Sequence, residues 1–336
     1  MSSKSYLVTG GSGFLGSALV RRLVHEGHRV RVFDNNSRGR AHRLADVAGQ
    51  FEFVEADIRD ASAVEQAIRG VDSVLHLAFV NGTEFFYSRP ELVLDVGVKG
   101  MVNVLDACVK NNVRDLVLAS SSEVYQQPPS VPTDESVPLS IPDPMNPRYS
   151  YAAGKIISEV MTINYGRKYF DRVVIFRPHN VYGPDMGWEH VIPQFILRMN
   201  DLNAREALDP IKFPMQGSGN QSRSFVFIED FTDGLMAVIN KGAHLQIYHI
   251  GTTEEITIGQ LAHCVAQCFG RRIEVVPGNA APGGTLRRCP DIGKLTALGY
   301  RPRCGLLESL PVVVDWYREN ADKNPHAIEV REQSIA

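Results

Sequence analysis

Thr9-Gly10-Gly11-Ser12-Gly13-Phe14-Leu15-Gly16 is the stretch on which the fold turns. The apolar run Tyr6-Leu7-Val8 before it predicts a strand, and residues 14–25 after it have helical spacing. Glycines satisfy both G-x-x-G-x-x-G (10, 13, 16) and G-x-G-x-x-G (11, 13, 16). Glycine there permits a tight turn, lets backbone approach a pyrophosphate, and seats the helix against the sheet. The free N–H groups of the helix start then face the phosphates. A second strand, Arg31-Val32-Phe33, closes on Asp34. Its carboxylate can accept hydrogen bonds from the adenosine ribose hydroxyls and repels a 2′-phosphate. The other role for such an acid is a turn cap. Strand, glycine turn, helix, strand and acid in this order read as a dinucleotide site for NAD rather than NADP, and Arg38 alone does not outweigh Asp34.

Outward from this unit the alternation continues. Strands are expected at 51–55, 73–77, 115–119 and 173–176, and helices at 63–68, 92–109 and 151–169. Strands separated by helices imply parallel βαβ units: an α/β protein with a Rossmann-like doubly wound parallel sheet. Continuous apolar strands such as Leu116-Val117-Leu118 suit a sheet buried on both faces. After Pro178 prolines, glycines and shorter elements dominate, reading as a smaller α+β substrate-binding region. The expected organisation is therefore a dinucleotide-binding domain over 1–178, a substrate region over 179–320, and a tail over 321–336. Ile247-Tyr248-His249-Ile250 can rejoin the first sheet. The Pro-rich stretch 128–147 is either a mobile lid or a plain connection.

The chain has 336 residues, which at about 150 per domain makes roughly two domains. With 44% hydrophobic and 22% charged residues it can bury a sizeable core. Lys+Arg 35 against Asp+Glu 38 gives −3, which excludes the basic bias of a dedicated nucleic-acid binder. No apolar run approaches the ~18 residues of a membrane span, and the amino end lacks a signal-peptide core. Five cysteines without a C-x-x-C pair read as reduced thiols, which predicts a cytoplasmic protein. The ten histidines show no ligand spacing, so no metal is expected.

Five further motifs follow in order: Ala56-Asp57-Ile58-Arg59, His76-Leu77-Ala78, Ser120-Ser121-Ser122-Glu123-Val124-Tyr125, Tyr151-x3-Lys155, and Arg177-Pro178-His179-Asn180-Val181-Tyr182-Gly183-Pro184. Tyr151 and Lys155, four apart, share one helix face. A phenol of ordinary pKa near 10 is too weakly acidic to serve as a base at neutral pH, and an adjacent ammonium stabilises its phenolate. With these motifs, residues 7 to about 317 resemble the extended short-chain dehydrogenase/reductase family, specifically its nucleotide-sugar epimerases and dehydratases.

The resemblance implies a set of roles. Gly10, Gly13, Phe14, Leu15, Gly16 and Asp34 would hold NAD, Asp57 and Ile58 its adenine, and Leu77 and Ala78 would line it. Tyr151 and Lys155 would be catalytic and also touch the cofactor, with Ser121 bonding the reacting hydroxyl. Family epimerases tend to lack an acid at position 123, whereas dehydratases and decarboxylases carry Glu there as a second base or acid. Glu123 fits the latter, or is only a solvated loop carboxylate. Ser122 stands where thymidine-type dehydratases place Asp, and is expected to contact substrate. Asn180, Val191, Arg223 and Arg288 would bind the nucleoside diphosphate, although either arginine alone is a common surface charge. His179, Trp188 and His190 read as packing and loop surface.

The implied enzyme keeps NAD bound and oxidises C4 of a nucleoside-diphosphate sugar, with UDP or dTDP favoured over GDP. Dehydratase-type chemistry is preferred through Glu123. Behind it stand a 4-epimerase of the UDP-glucose or UDP-glucuronate type, a sugar-acid decarboxylase, an NADPH-dependent ketoreductase, and a non-catalytic dinucleotide-binding protein. A homodimer through helices 92–109 and 156–169 is implied as well. Three departures stand out: Gly97 replaces the family's Asn, Gln126 replaces a Gly, and Asp185-Met186-Gly187-Trp188-Glu189-His190 lacks the arginine of the decarboxylases.

Overall fold

A computed structural model describes residues 3–207, 209–279 and 285–324. Seven strands form the central sheet: β1 (Ser5–Thr9), β2 (Arg29–Asp34), β3 (Glu52–Glu55), β4 (Ser73–His76), β5 (Asp115–Ala119), β6 (Arg172–Pro178) and β7 (Gln246–Ile250). Their order is β7-β6-β5-β4-β1-β2-β3, with every pair parallel. The order reverses between β1 and β4, and that switch point opens the crevice where such sheets bind ligands.

The strands are apolar at successive positions because both faces are covered. Val8, Leu75, Val117, Val174 and Phe176 pack on one side beneath α1 (Phe14–His25) and the helix Ile228–Lys241. Leu7, Val74, Leu116, Leu118, Val173 and Ile175 pack on the other, beneath α2 (Ala61–Ile68) and α3 (Gly100–Lys110). The segment 247–250 does return to the sheet: β7 lies parallel to β6 with Gln246 opposite Val174. A third core gathers Ile192, Phe195, Phe213, Leu261, Leu310 and Val314 from the helices Val191–Arg205, Ile258–Cys268 and Leu306–Glu319 and from the strand Ile211–Met215.

The helix expected over 92–109 is interrupted. Pro90–Leu94 is α-helical, Asp95–Lys99 forms a π-helical turn, and the α-helix resumes at Gly100–Lys110. All five cysteines are free thiols. Among the described residues no helix is long and apolar enough to cross a membrane, and no group of His, Cys, Asp and Glu could hold a metal ion. The tail forms a short turn at Ala321–Lys323, and 325–336 lie outside the described residues.

Candidate active site

The glycine turn needs its glycines. Gly10 has φ +71°, and a Cβ on Gly16 would fall 2.1 Å from the Gly10 carbonyl oxygen. Gly13 is the N-cap of α1 and offers no side-chain cap, so the first N–H groups of the helix are left for a ligand. Asp34 is held at the cleft by two backbone donors, Ser12 N–H at 3.1 Å and Asn36 N–H at 2.9 Å. A glycine cradle, an uncapped helix start and an oriented carboxylate at the end of β2 together fit an adenine dinucleotide.

One cleft of about 440 Å³ runs from this turn to the catalytic residues. Gly10, Gly13, Phe14, Leu15, Gly16, Asp34, Ile58, Leu77 and Ala78 line one end; Ser121, Ser122, Glu123, Tyr151, Lys155, Asn180, Val191 and Arg288 line the other. Two expected residues stand outside its wall. Asp57 is engaged by Arg59 at 2.8 Å and Asn35 at 3.1 Å, and its carboxyl is drawn down to about 2, chiefly by the Arg59 hydrogen bond. Arg223 donates to the Ser222 and Thr285 carbonyls, each at 2.7 Å, and so ties two backbone segments together, while its charge still acts on Glu123.

Tyr151 and Lys155 sit at the start of α4 (the helix Ser150–Tyr169) and are both buried. Burial lowers the Lys155 ammonium to about 7, with the Glu159 charge opposing, and its Nζ donates to the Ala119 carbonyl at 2.7 Å. Burial pushes the Tyr151 phenol above its ordinary value; a Ser121 hydrogen bond pulls it down and the Glu123 charge pushes it up. The Tyr151 ring is stacked on Phe86 (centroids 4.9 Å apart) and meets Phe79 edge-on at 5.1 Å. Neither phenylalanine belongs to a motif; their only sequence signal is that Phe79 adjoins His76-Leu77-Ala78 and Phe86 lies in the aromatic run Phe85-Phe86-Tyr87.

Ser121 caps the short 3-10 turn Ser122–Tyr125, its Oγ accepting the Glu123 N–H at 3.2 Å. A buried network fixes both ends of this turn. Ser120 Oγ donates to Glu159, which also takes a two-pronged grip from Arg177 at 2.8 and 2.6 Å. Arg177 donates to the Tyr125 hydroxyl, whose oxygen lies 2.7 Å from His249 Nε2. His249 Nδ1 lies 3.0 Å from the Asp291 carbonyl and must donate to it, so Nε2 accepts from Tyr125. Gln126 follows with φ +53°, the conformation that favours glycine, and its Nε2 donates to the Glu123 carbonyl at 2.6 Å.

Glu123 is a paired carboxylate in the cleft wall rather than a solvated one. Arg288 Nη1 donates to it at 2.6 Å, while Arg288 Nη2 donates to Thr285 Oγ1 at 3.0 Å. Burial would raise the Glu123 carboxyl, but Arg288, with Arg148 and Arg223 nearby, outweighs it and holds the group below its ordinary value. Glu123 is therefore ionised at neutral pH. Trp188 is buried against Trp316 and Tyr317, whereas His190 borders the cleft and His179 is buried with neither ring nitrogen bonded.

Residues 6–251 match the NAD dependent epimerase/dehydratase family. The chain is 31% identical to UDP-glucuronic acid decarboxylase 1 of Xenopus tropicalis, over 95% of this chain and 73% of that protein. Among solved structures it resembles a dTDP-glucose 4,6-dehydratase of Streptomyces venezuelae with NAD bound (TM-score 0.83, 32% identity, 96% and 99% of the two chains). It also resembles the UDP-glucose 4-epimerase of Thermus thermophilus in complex with NAD (TM-score 0.80, 30% identity, 94% and 99%). With its glycine turn, Asp34 and the Tyr151–Lys155 pair on one cleft, the chain belongs to the NAD dependent epimerase/dehydratase family, and its cofactor is NAD.

Proposed function

We propose that this enzyme oxidises C4 of a UDP- or dTDP-linked sugar and that Glu123 then moves a proton at the adjacent carbon, in dehydratase-type chemistry. Bound NAD supplies the hydride acceptor and later the donor. Tyr151 takes the C4 hydroxyl proton, Ser121 orients that hydroxyl, and the Lys155 ammonium stabilises the phenolate. The ketone at C4 acidifies the C5 hydrogen, and a base on the same cleft wall can remove it. The C6 hydroxyl then leaves as water, taking up the proton that Glu123 removed from C5, which completes the elimination. The observation that carries this reading is Glu123, ionised by Arg288 and lining one cleft with Tyr151.

A second reading, 4-epimerase, is favoured by Ser122: no second carboxylic acid stands beside Glu123 to protonate a leaving hydroxyl. Glu123 then only anchors Arg288, and the ketosugar turns over and is reduced on its other face. Product mass decides. With UDP- and dTDP-hexoses and the matching uronates as substrates, loss of water supports the dehydratase. An unchanged mass with inverted C4 makes it an epimerase, and loss of carbon dioxide a decarboxylase. In deuterated water the dehydratase product gains deuterium at C5, and Glu123→Gln stalls at the ketosugar with persistent 340 nm absorbance. A deuterium-free product together with an active Gln variant rejects the dehydratase reading.

A further inference from the structure

Phe79 follows His76-Leu77-Ala78 and has no part in the chemistry above. The tip of its ring enters a slot between two glycines. A Cβ on Gly97 would lie 2.3 Å from Phe79 Cζ and 2.5 Å from Cε2, and a Cβ on Gly154 would lie 2.9 Å from Cζ. Gly97 is the middle residue of the π-helical turn Asp95–Lys99, a local widening of the kind that recurs at functional sites. Gly154 immediately precedes Lys155. Three separate features therefore make room for one ring: Gly97, Gly154 beside the catalytic lysine, and a widened helical turn.

The ring is placed on the catalytic pair. Lys155 Nζ lies 4.0 Å from the Phe79 centroid, and the Tyr151 ring meets Phe79 edge-on at 5.1 Å. The Lys155 ammonium is stripped of water by burial. The groups that face it are few. Glu159 and Tyr151 come from its own helix, the Ala119 carbonyl from β5, and His76, buried and neutral, from β4. Glu159, the one carboxylate acting on it, is already shared by Arg177 and Ser120. An aromatic face carries negative potential, and a desolvated cation gains most from it.

We propose that Phe79 is a positioning residue for the reaction: its ring fills the space that a polar side chain at position 97 would take, its face holds Lys155 as a cation, and its edge fixes the Tyr151 ring beside it. This rests on Tyr151 and Lys155 being the reacting pair. Phe79→Leu keeps apolar bulk and removes the face, so kcat should fall about tenfold with KM for the nucleotide sugar little changed. The pH window of kcat should narrow from both sides. Without the ring the ammonium is lost at lower pH, and a weaker cation lets the phenolate form only at higher pH. Fluorinated phenylalanine at position 79 keeps the shape but drains the ring face, and should lower kcat in step with fluorination. A kcat and pH profile indifferent to both changes, with only the melting temperature moved, overturns the proposal.

The slot itself has a readout that needs no turnover. Gly97→Asn alone should lower the melting temperature because its Cβ overlaps the ring, and Phe79→Ala in the same chain should restore it. Gly97→Asn as stable as the wild type overturns the slot. Failure of the functional reading looks different: a Tyr151→Phe variant with near wild-type turnover removes Tyr151 from the chemistry and leaves the Gly97–Phe79 coupling intact.

Discussion

Tyr151 cannot act alone, because burial holds its phenol above the ordinary value of about 10. The cation that must bring it down, Lys155, is itself lowered to about 7, so its charge lies within the working range. Tyr151→Phe removes only the hydroxyl, and both stacking phenylalanines remain. Turnover should fall about a thousandfold while the melting temperature and NAD binding, measured by calorimetry, stay near wild type. Near-normal turnover would exclude Tyr151 as the base. Residues of this kind were legible because their partners sit at fixed spacings: Gly10 to Gly16 in one turn, Asp34 at the end of the next strand, Lys155 four after Tyr151. What spacing could not show is how distant segments meet. Arg223, for one, donates to the carbonyl of Thr285, a partner far along the chain that no motif announces. Phe79 gains meaning only when Gly97 and Gly154 are brought to its ring tip.

Elements carry the next level of constraint. The turn Ser122–Tyr125 presents Glu123, and beyond its own local hydrogen bonds its ends are tied to Glu159, Arg177 and His249. Tyr125→Phe leaves a buried guanidinium N–H and an imidazole nitrogen without their partner. We expect about 1–3 kcal/mol of lost stability in urea titration, with kcat reduced severalfold as the turn loosens. Unchanged stability and turnover would show that the turn is held by packing alone. Strand ends add a second effect. His76 on β4, His249 on β7 and His179 just after β6 are buried, and desolvation lowers them to about 3, to about 4, and well below ordinary. Unfolded histidine titrates near ~6.5, so below that pH the unfolded chain binds protons that the folded chain refuses. The sign is fixed: stability is complete above about 6.5 and is lost as pH falls, by about 1.4 kcal/mol per unit for each histidine. The urea midpoint should drop steeply between pH 7 and 5, and His249→Asn should remove about one proton from that slope. A midpoint flat across the range would contradict the buried neutral state. The helix over 92–109 was legible in outline but not its π turn at Asp95–Lys99, since apolar spacing along one helix does not register a single widened turn.

At the scale of the whole molecule, the sheet was readable because burial on both faces leaves runs of apolar strand residues punctuated by helices. The return of β7 to β6 was an open alternative in sequence, because nothing within Gln246–Ile250 announces a partner that lies some seventy residues earlier. The same long return brings His249 against Tyr125 and joins the substrate side to the catalytic turn. Beyond the chain itself, α4 and the end of Gly100–Lys110 carry apolar side chains that one chain leaves uncovered. Ile157 and Val160 on α4 are 42% and 52% exposed, and Tyr169 and Val109 at the helix ends are exposed too. Yet α4 already buries Tyr151, Ala152, Ser158 and Thr162 inward. A helix with a buried face and a second apolar stripe facing water is under-used in a monomer. We expect this stripe to pair with its copy in a homodimer, the helices of both chains forming a bundle. Light scattering at micromolar concentration should then give twice the chain mass. Val160→Glu would put a charge into that apolar surface and should yield a folded monomer with an unchanged circular dichroism spectrum. A wild-type monomer at that concentration, or a Glu variant that stays dimeric, removes these helices as the interface.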